Sequence, residues 1–167
     1  MDRPGWGRGT IRGVSTTARA AAPPDNEPVS IVGRVRLLVR VWALAVRIQL
    51  SLRRHPLPVV VAGLEGSAAG SSRAPVALLS RAVSRGLRVG PWRPRCLLRS
   101  LVLYRMLREQ GEIAELIIGL KGHAITSDAH AWVELAGRDV GPWPGGAGYE
   151  ELTRYPRQPG AAAEVAR

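Results

Sequence analysis

Cys96-Leu-Leu-Arg-Ser-Leu-Val-Leu-Tyr-Arg-Met-Leu-Arg-Glu-Gln-Gly111, then Ile113-Ala-Glu-Leu-Ile-Ile-Gly-Leu120, then Ala129-His-Ala-Trp-Val-Glu-Leu135: the reading of these three segments decides the fold. The first, taken from Pro94 to Gln110, is strongly apolar and ends on a glycine. It predicts a buried helix capped by Gly111. The second is rich in β-branched and long aliphatic residues and predicts a strand over 113–120. The third alternates, placing Ala129, Ala131, Val133 and Leu135 on one face and His130, Trp132 and Glu134 on the other. Ala136-Gly137 can turn the chain, and Arg138-Asp139-Val140 would return as a partner strand.

Upstream of these segments two helices are expected. Residues 29–54 read as a helix in which Arg36, Arg40, Arg47 and Arg54 share a narrow stripe at 100° per residue, with Val35, Leu38, Trp42, Val46 and Leu50 away from it. Pro56 and Pro58 stop that run. Three readings of the stripe stand: a solvated surface, a basic face that meets an acidic partner, or an interfacial membrane helix. Pro75 opens a second helix with Val76, Leu79, Val83 and Leu87 at helical spacing, ended near Gly86. Residues 66–74 read as a flexible connection and 90–94 as a turn. The order is helices, one central helix, then a small antiparallel sheet, an α+β fold. A single domain over 29–157 is expected, its helical part at 29–90, with loose tails at 1–28 and 158–167.

Composition narrows the function classes. The chain of 167 residues carries a formal charge of +11, and its 24 basic residues include a single lysine, Lys121. Residues 1–56 hold ten Arg against three acids. That excess favours an anionic partner without choosing among nucleic acid, membrane and acidic peptide. One cysteine excludes an internal disulfide and any zinc site built on cysteine pairs. The longest apolar run, Val41 to Val46, is far short of the roughly 20 residues of a membrane span. A cytoplasmic location is the expectation.

Cys96 lies two residues after Pro94, in the first turn of the central helix. Free N–H groups and the helix dipole favour a thiolate there, and Arg93, Arg95 and Arg99 add positive potential. The competing reading is a small apolar residue that begins a stripe with Leu97, Leu98 and Leu101. A thiol nucleophile needs a base within reach, and His130, on a strand able to pack against the helix start, can supply it. His123, in the expected loop 121–128, and His55, beside Pro56, are weaker candidates. An acid that orients the imidazole would complete a triad. Asp139 shares His130's side of the hairpin, although nearer Glu134. Asp128 and Glu134 are the alternatives.

These segments together resemble the leader peptidases of lasso-peptide biosynthesis. The helix resembles that family's "C-L-x-R-S-L-x-L-x-x-L-L-R-x-x-G" pattern, and Ala129-His-Ala-Trp-Val-Glu134 its "A-H-A-W-V-E" strand. Upstream, Arg53-Arg-His-Pro-Leu-Pro58 is similar to the family's basic, proline-interrupted segment. The resemblance implies a transglutaminase- or papain-like core, with the Cys helix packed on the sheet, Cys96 as nucleophile and His130 as base. It implies a precursor peptide whose leader is cut, a small leader-binding partner protein, and a separate ATP-dependent macrolactam cyclase. No cofactor is expected in this chain. The family's acid position is occupied here by Pro142, leaving Asp139 as the nearest carboxylate. The expected function is therefore a cysteine peptidase acting through a thioester. Two alternatives are acyl transfer to an amine on the same apparatus and a basic binding module without enzymatic activity. No nucleic-acid-binding motif supports the latter.

Overall fold

The computed structural model describes residues 30–65, 74–88, 96–121, 128–141 and 148–156. Four helices, α1 (Ile31–Arg54), α2 (Leu57–Glu65), α3 (Val76–Gly86) and α4 (Cys96–Glu109), precede four strands, β1 (Ala114–Lys121), β2 (Asp128–Leu135), β3 (Arg138–Asp139) and β4 (Glu150–Tyr155). This is the expected α+β order, with the cysteine-bearing helix packed on the sheet. The expected tails, the turn at 90–94 and most of the connection 66–74 lie outside the described residues.

Helix α4 is the centre of the molecule because it is buried on most of its faces. Leu98, Leu101, Val102, Leu103, Tyr104, Met106 and Leu107 are all buried. A helix whose apolar residues face so many directions needs partners on several sides. It packs against α1, α2 and α3 on one side and β1 and β2 on the other. Gly111, at φ 80°, reverses the chain after it. Glu112 N–H donates to the Leu107 carbonyl at 3.1 Å and Gly111 N–H to that of Arg108 at 3.0 Å. That pair of bonds is a Schellman cap, and it aims the chain directly into β1.

The prolines after α1 do more than stop it. α1 ends at Arg54, and α2 begins at once, with Pro58 as its second residue. A first-turn residue has no intrahelical use for an N–H, so Pro58 is tolerated there. Val59 and Val60 instead donate to the Pro56 carbonyl.

The core side of α1 is the arc of Val41, Ala45 and Ile48. The residues set apart from the arginine stripe in sequence do not form that arc. Val35, Leu38, Val46 and Leu50 are exposed, together with Ile31, Val32 and Val39. At 100° per residue α1 therefore carries two apolar arcs, one covered and one bare. Arg40 of the stripe forms an ion pair with Glu109 at the end of α4.

The sheet order is β3-β2-β1-β4, and every neighbouring pair is antiparallel. Ala114, Leu116 and Ile118 lie opposite Leu135, Val133 and Ala131 on the core face. On the other face Glu115 meets Glu134, Ile117 meets Trp132, and Gly119 meets His130. Ala136 and Gly137 both have positive φ, the two-residue hairpin geometry that fits strand twist. β4, which no local pattern announced, crosses to the far side of β1 and seats Tyr155 in the core. Arg154 on β4 gathers three carboxylates: Glu115 at 2.7 Å, Glu134 at 3.1 Å and Glu151 at 2.7 Å. It thereby neutralises the like charges that face each other across β1 and β2.

Candidate active site

Cys96 is the first residue of α4 and is half-buried. Its Sγ lies 3.7 Å from the Ala129 carbonyl oxygen. One helical turn on, the buried Ser100 hydroxyl donates to the Ala131 carbonyl at 2.7 Å. Two residues further along β2, the Val133 carbonyl accepts from Val140 N–H beside β3. Carbonyls of alternate residues point to the same side of a strand. The edge of β2 is thus closed by β3 at one end and by side chains of α4 at the other. This stitching brings the Cys96 sulfur to the residue immediately before His130.

His130 lies across from Gly119 in the β1–β2 register. Its ring is tilted against Tyr149, with centroids 5.1 Å apart, and is near-parallel to Trp132 at 6.3 Å. Trp132 Nε1–H donates to Glu134 at 2.9 Å, which fixes the indole. Gly119 makes this packing possible. A Cβ there would lie 2.7 Å from the Glu150 carbonyl oxygen and 3.0 Å from the Trp132 ring. Among the described residues the imidazole has ring contacts and no hydrogen bond.

The three candidate acids fall in different places. Asp139 stands opposite Glu134 in the β2–β3 pair, and its Oδ1 accepts from Gly141 N–H at 2.7 Å. Glu134 is four residues from His130, roughly 13 Å along a strand. The hairpin therefore does not bring Asp139 to the imidazole. Glu134 itself is engaged by Trp132 and Arg154. Asp128 accepts from the Tyr149 hydroxyl at 3.4 Å, and Tyr149 is the ring against His130. His55 caps α1. His123, Trp92, Arg93, Arg95 and Pro142 lie outside the described residues.

Tyr149 is the site residue that the sequence did not reveal. Its phenol is pushed up by desolvation, then by the Asp128 carboxylate and the bond to it, and also by Cys96. It stays neutral and able to donate across the physiological range. Its ring stands against His130, on the strand that the Cys96 sulfur approaches. It immediately precedes β4, so only the long-range β1–β4 pairing brings it here.

Among the described residues no group of three His, Cys, Asp or Glu side chains is placed to hold a metal ion. None of the described helices is long and apolar enough to cross a membrane. The arrangement suits chemistry at sulfur: a half-buried thiol at a helix start, an imidazole one residue from its contact, and an aromatic wall.

No curated protein and no solved structure matches the chain. The profile of the transglutaminase-like superfamily matches residues 37–154, from the second turn of α1 to the penultimate residue of β4. That span includes α4, the sheet and every residue of the site, and on it the chain belongs to the transglutaminase-like superfamily.

Proposed function

We propose that the protein is a cysteine peptidase that removes the leader from a ribosomally made lasso-peptide precursor. The observation that carries the reading is the approach of the Cys96 sulfur to β2 at Ala129, next to His130, within a transglutaminase-like domain. In the proposed reaction His130 takes the thiol proton and the sulfur attacks the scissile carbonyl. The C–N bond breaks as the imidazolium returns its proton to the leaving amine, which leaves a thioester on Cys96. Water, deprotonated by His130, then hydrolyses the thioester to the free carboxylate of the leader. The Cys96 backbone N–H, at the helix start, is suited to receive the oxyanion.

Asp139, held by Gly141 and opposite Glu134, is assigned a structural part, and Asp128 acts on His130 through Tyr149. The proposed partners are the precursor peptide, a small leader-binding protein that presents it, and an ATP-dependent macrolactam cyclase that uses the freed amine. The proposed location is cytoplasmic.

The test is incubation of the full chain with a lasso precursor and its leader-binding protein, read by product mass. Peptidase action yields a leader with a free carboxylate and a core with a free amine. A leader joined to an added amine would make the enzyme an acyl transferase instead. Cys96→Ala should abolish either product with an unchanged circular-dichroism spectrum, since Ala is smaller and a good helix former. Full cleavage by the Ala variant would remove Cys96 from the mechanism.

A further inference from the structure

The bare apolar arc of α1 is a surface that the peptidase reading does not use. Ile31, Val32, Val35, Val39 and Val46 are 79%, 59%, 54%, 63% and 42% exposed, and Leu50 is 44% exposed. From Ile31 to Leu50 the strip runs about 30 Å along the helix. Scattered apolar residues on a surface are ordinary, but a continuous strip marks an interaction site.

The strip has relief. Leu38, Trp42 and Val46 form one row at i, i+4, i+8. Val35, Val39 and Ala43 form the adjacent row, which continues to Arg47. Between the rows runs an open groove of about 550 Å³, lined by these side chains. Rows of this kind receive the ridge of another helix. Along one shoulder lie Arg36, Arg47 and Arg54, which make no ion pair among the described residues, and Arg40, which pairs with Glu109. α1 itself contains no acidic residue.

We infer that this groove docks an amphipathic helix of a partner protein, with an apolar ridge for the groove and acidic residues along the shoulder that meets the arginines. Charge argues against a second copy, because antiparallel pairing of two α1 helices would place one arginine shoulder against the other. The chain's own residues 1–29 fit poorly, since they carry Arg3, Arg8, Arg12 and Arg19 and few large apolar side chains. A lipid surface suits the strip less well. Beside Leu38, Trp42 and Leu50 its outward residues are Val, Ile and Ala, with no Phe, a shallower apolar face than interfacial helices present.

The test uses the full chain and two fluorescein-labelled 20-residue amphipathic helices. They share one apolar face and differ only in Glu or Lys along one shoulder. The Glu peptide should bind at least roughly tenfold more tightly at low salt, the effect of two or more exposed charge pairs. Val39→Asp with Val46→Asp should remove binding at an unchanged melting temperature, because both residues are exposed. Arg36→Glu with Arg47→Glu should reverse the preference between peptides. Equal binding of the two peptides, or binding of neither, overturns the inference. So does flotation of the chain with vesicles of phosphatidylcholine and phosphatidylserine, which makes the strip a lipid contact, or dimerisation lost in the Val39/Val46 variant. None of these readings depends on leader removal, so the surface and the peptidase activity fail or stand separately.

Discussion

At the scale of single residues, the site divides into what local sequence encodes and what it does not. Cys96 and His130 could be singled out as candidates because each sits in a pattern of its own, a helix start and an alternating strand. Asp139 was placed correctly on the hairpin near Glu134, but a shared side of a strand is not proximity. Four residues of extended chain separate the two positions. Tyr149 was not legible, because its place depends on β4 crossing beyond β1. Its test separates ring from hydroxyl. Tyr149→Phe keeps the wall against His130 and loses only a long bond to Asp128, so single-turnover cleavage should fall by less than about threefold. Tyr149→Ala removes the ring contact and should lose roughly three- to tenfold, in proportion to the strength of an aromatic pair. Equal losses in the two variants would move the importance from the ring to the hydroxyl. Asp128→Asn should follow Tyr149→Phe, and Asp139→Asn should leave the rate near that of the native chain.

At the scale of elements, the contact of α4 with β2 rests on few polar bonds, and the packing on the sheet's outer face on one absent side chain. Ser100→Ala leaves the Ala131 carbonyl without its donor in a buried place. Stability should drop by about 1–2 kcal/mol, read from urea midpoints. The cleavage rate should fall as well, because the same stitching sets the sulfur against β2. Gly119→Ala presses a methyl group against a backbone carbonyl and an indole fixed by Glu134, neither of which yields easily. It should lower stability by roughly 1–3 kcal/mol. A melting temperature unchanged by Gly119→Ala would mean that β4 shifts freely. The second helix and the last strand show why elements were missed. Two prolines read as an ending also serve as a beginning, and the charged Glu150-Glu-Leu-Thr-Arg-Tyr155 lacks the apolar alternation by which strands are recognised.

At the scale of the whole molecule, the order of helices then sheet was legible because α4 through β3 are neighbours both in sequence and in space. The two faces of α1 were not, since periodicity reports that a helix is apolar on an arc and not which arc is covered. The core also holds a group that ties stability to alkali. Burial, with Glu65 beside it, pushes the Tyr104 phenol up to about 12. Below the unfolded-state value near 10 both states keep the proton. Above it the unfolded chain ionises first, so stability falls as pH rises from 10 through 12. Tyr104→Phe should flatten this fall, by about 1 kcal/mol at pH 11 in paired urea titrations at pH 8 and pH 11. A parallel fall in both proteins would place the alkaline sensitivity elsewhere. The strand order has a consequence for biosynthesis. A nascent chain emerges in sequence, so α1 through β3 leave the ribosome ahead of β4. Until β4 arrives, the imidazole has no Tyr149 against it, the outer edge of β1 is bare, and Glu115 and Glu134 lack Arg154. Of the described strands the one translated after the others is thus the one that completes the candidate site, and a copy lacking it carries its sulfur without those surroundings.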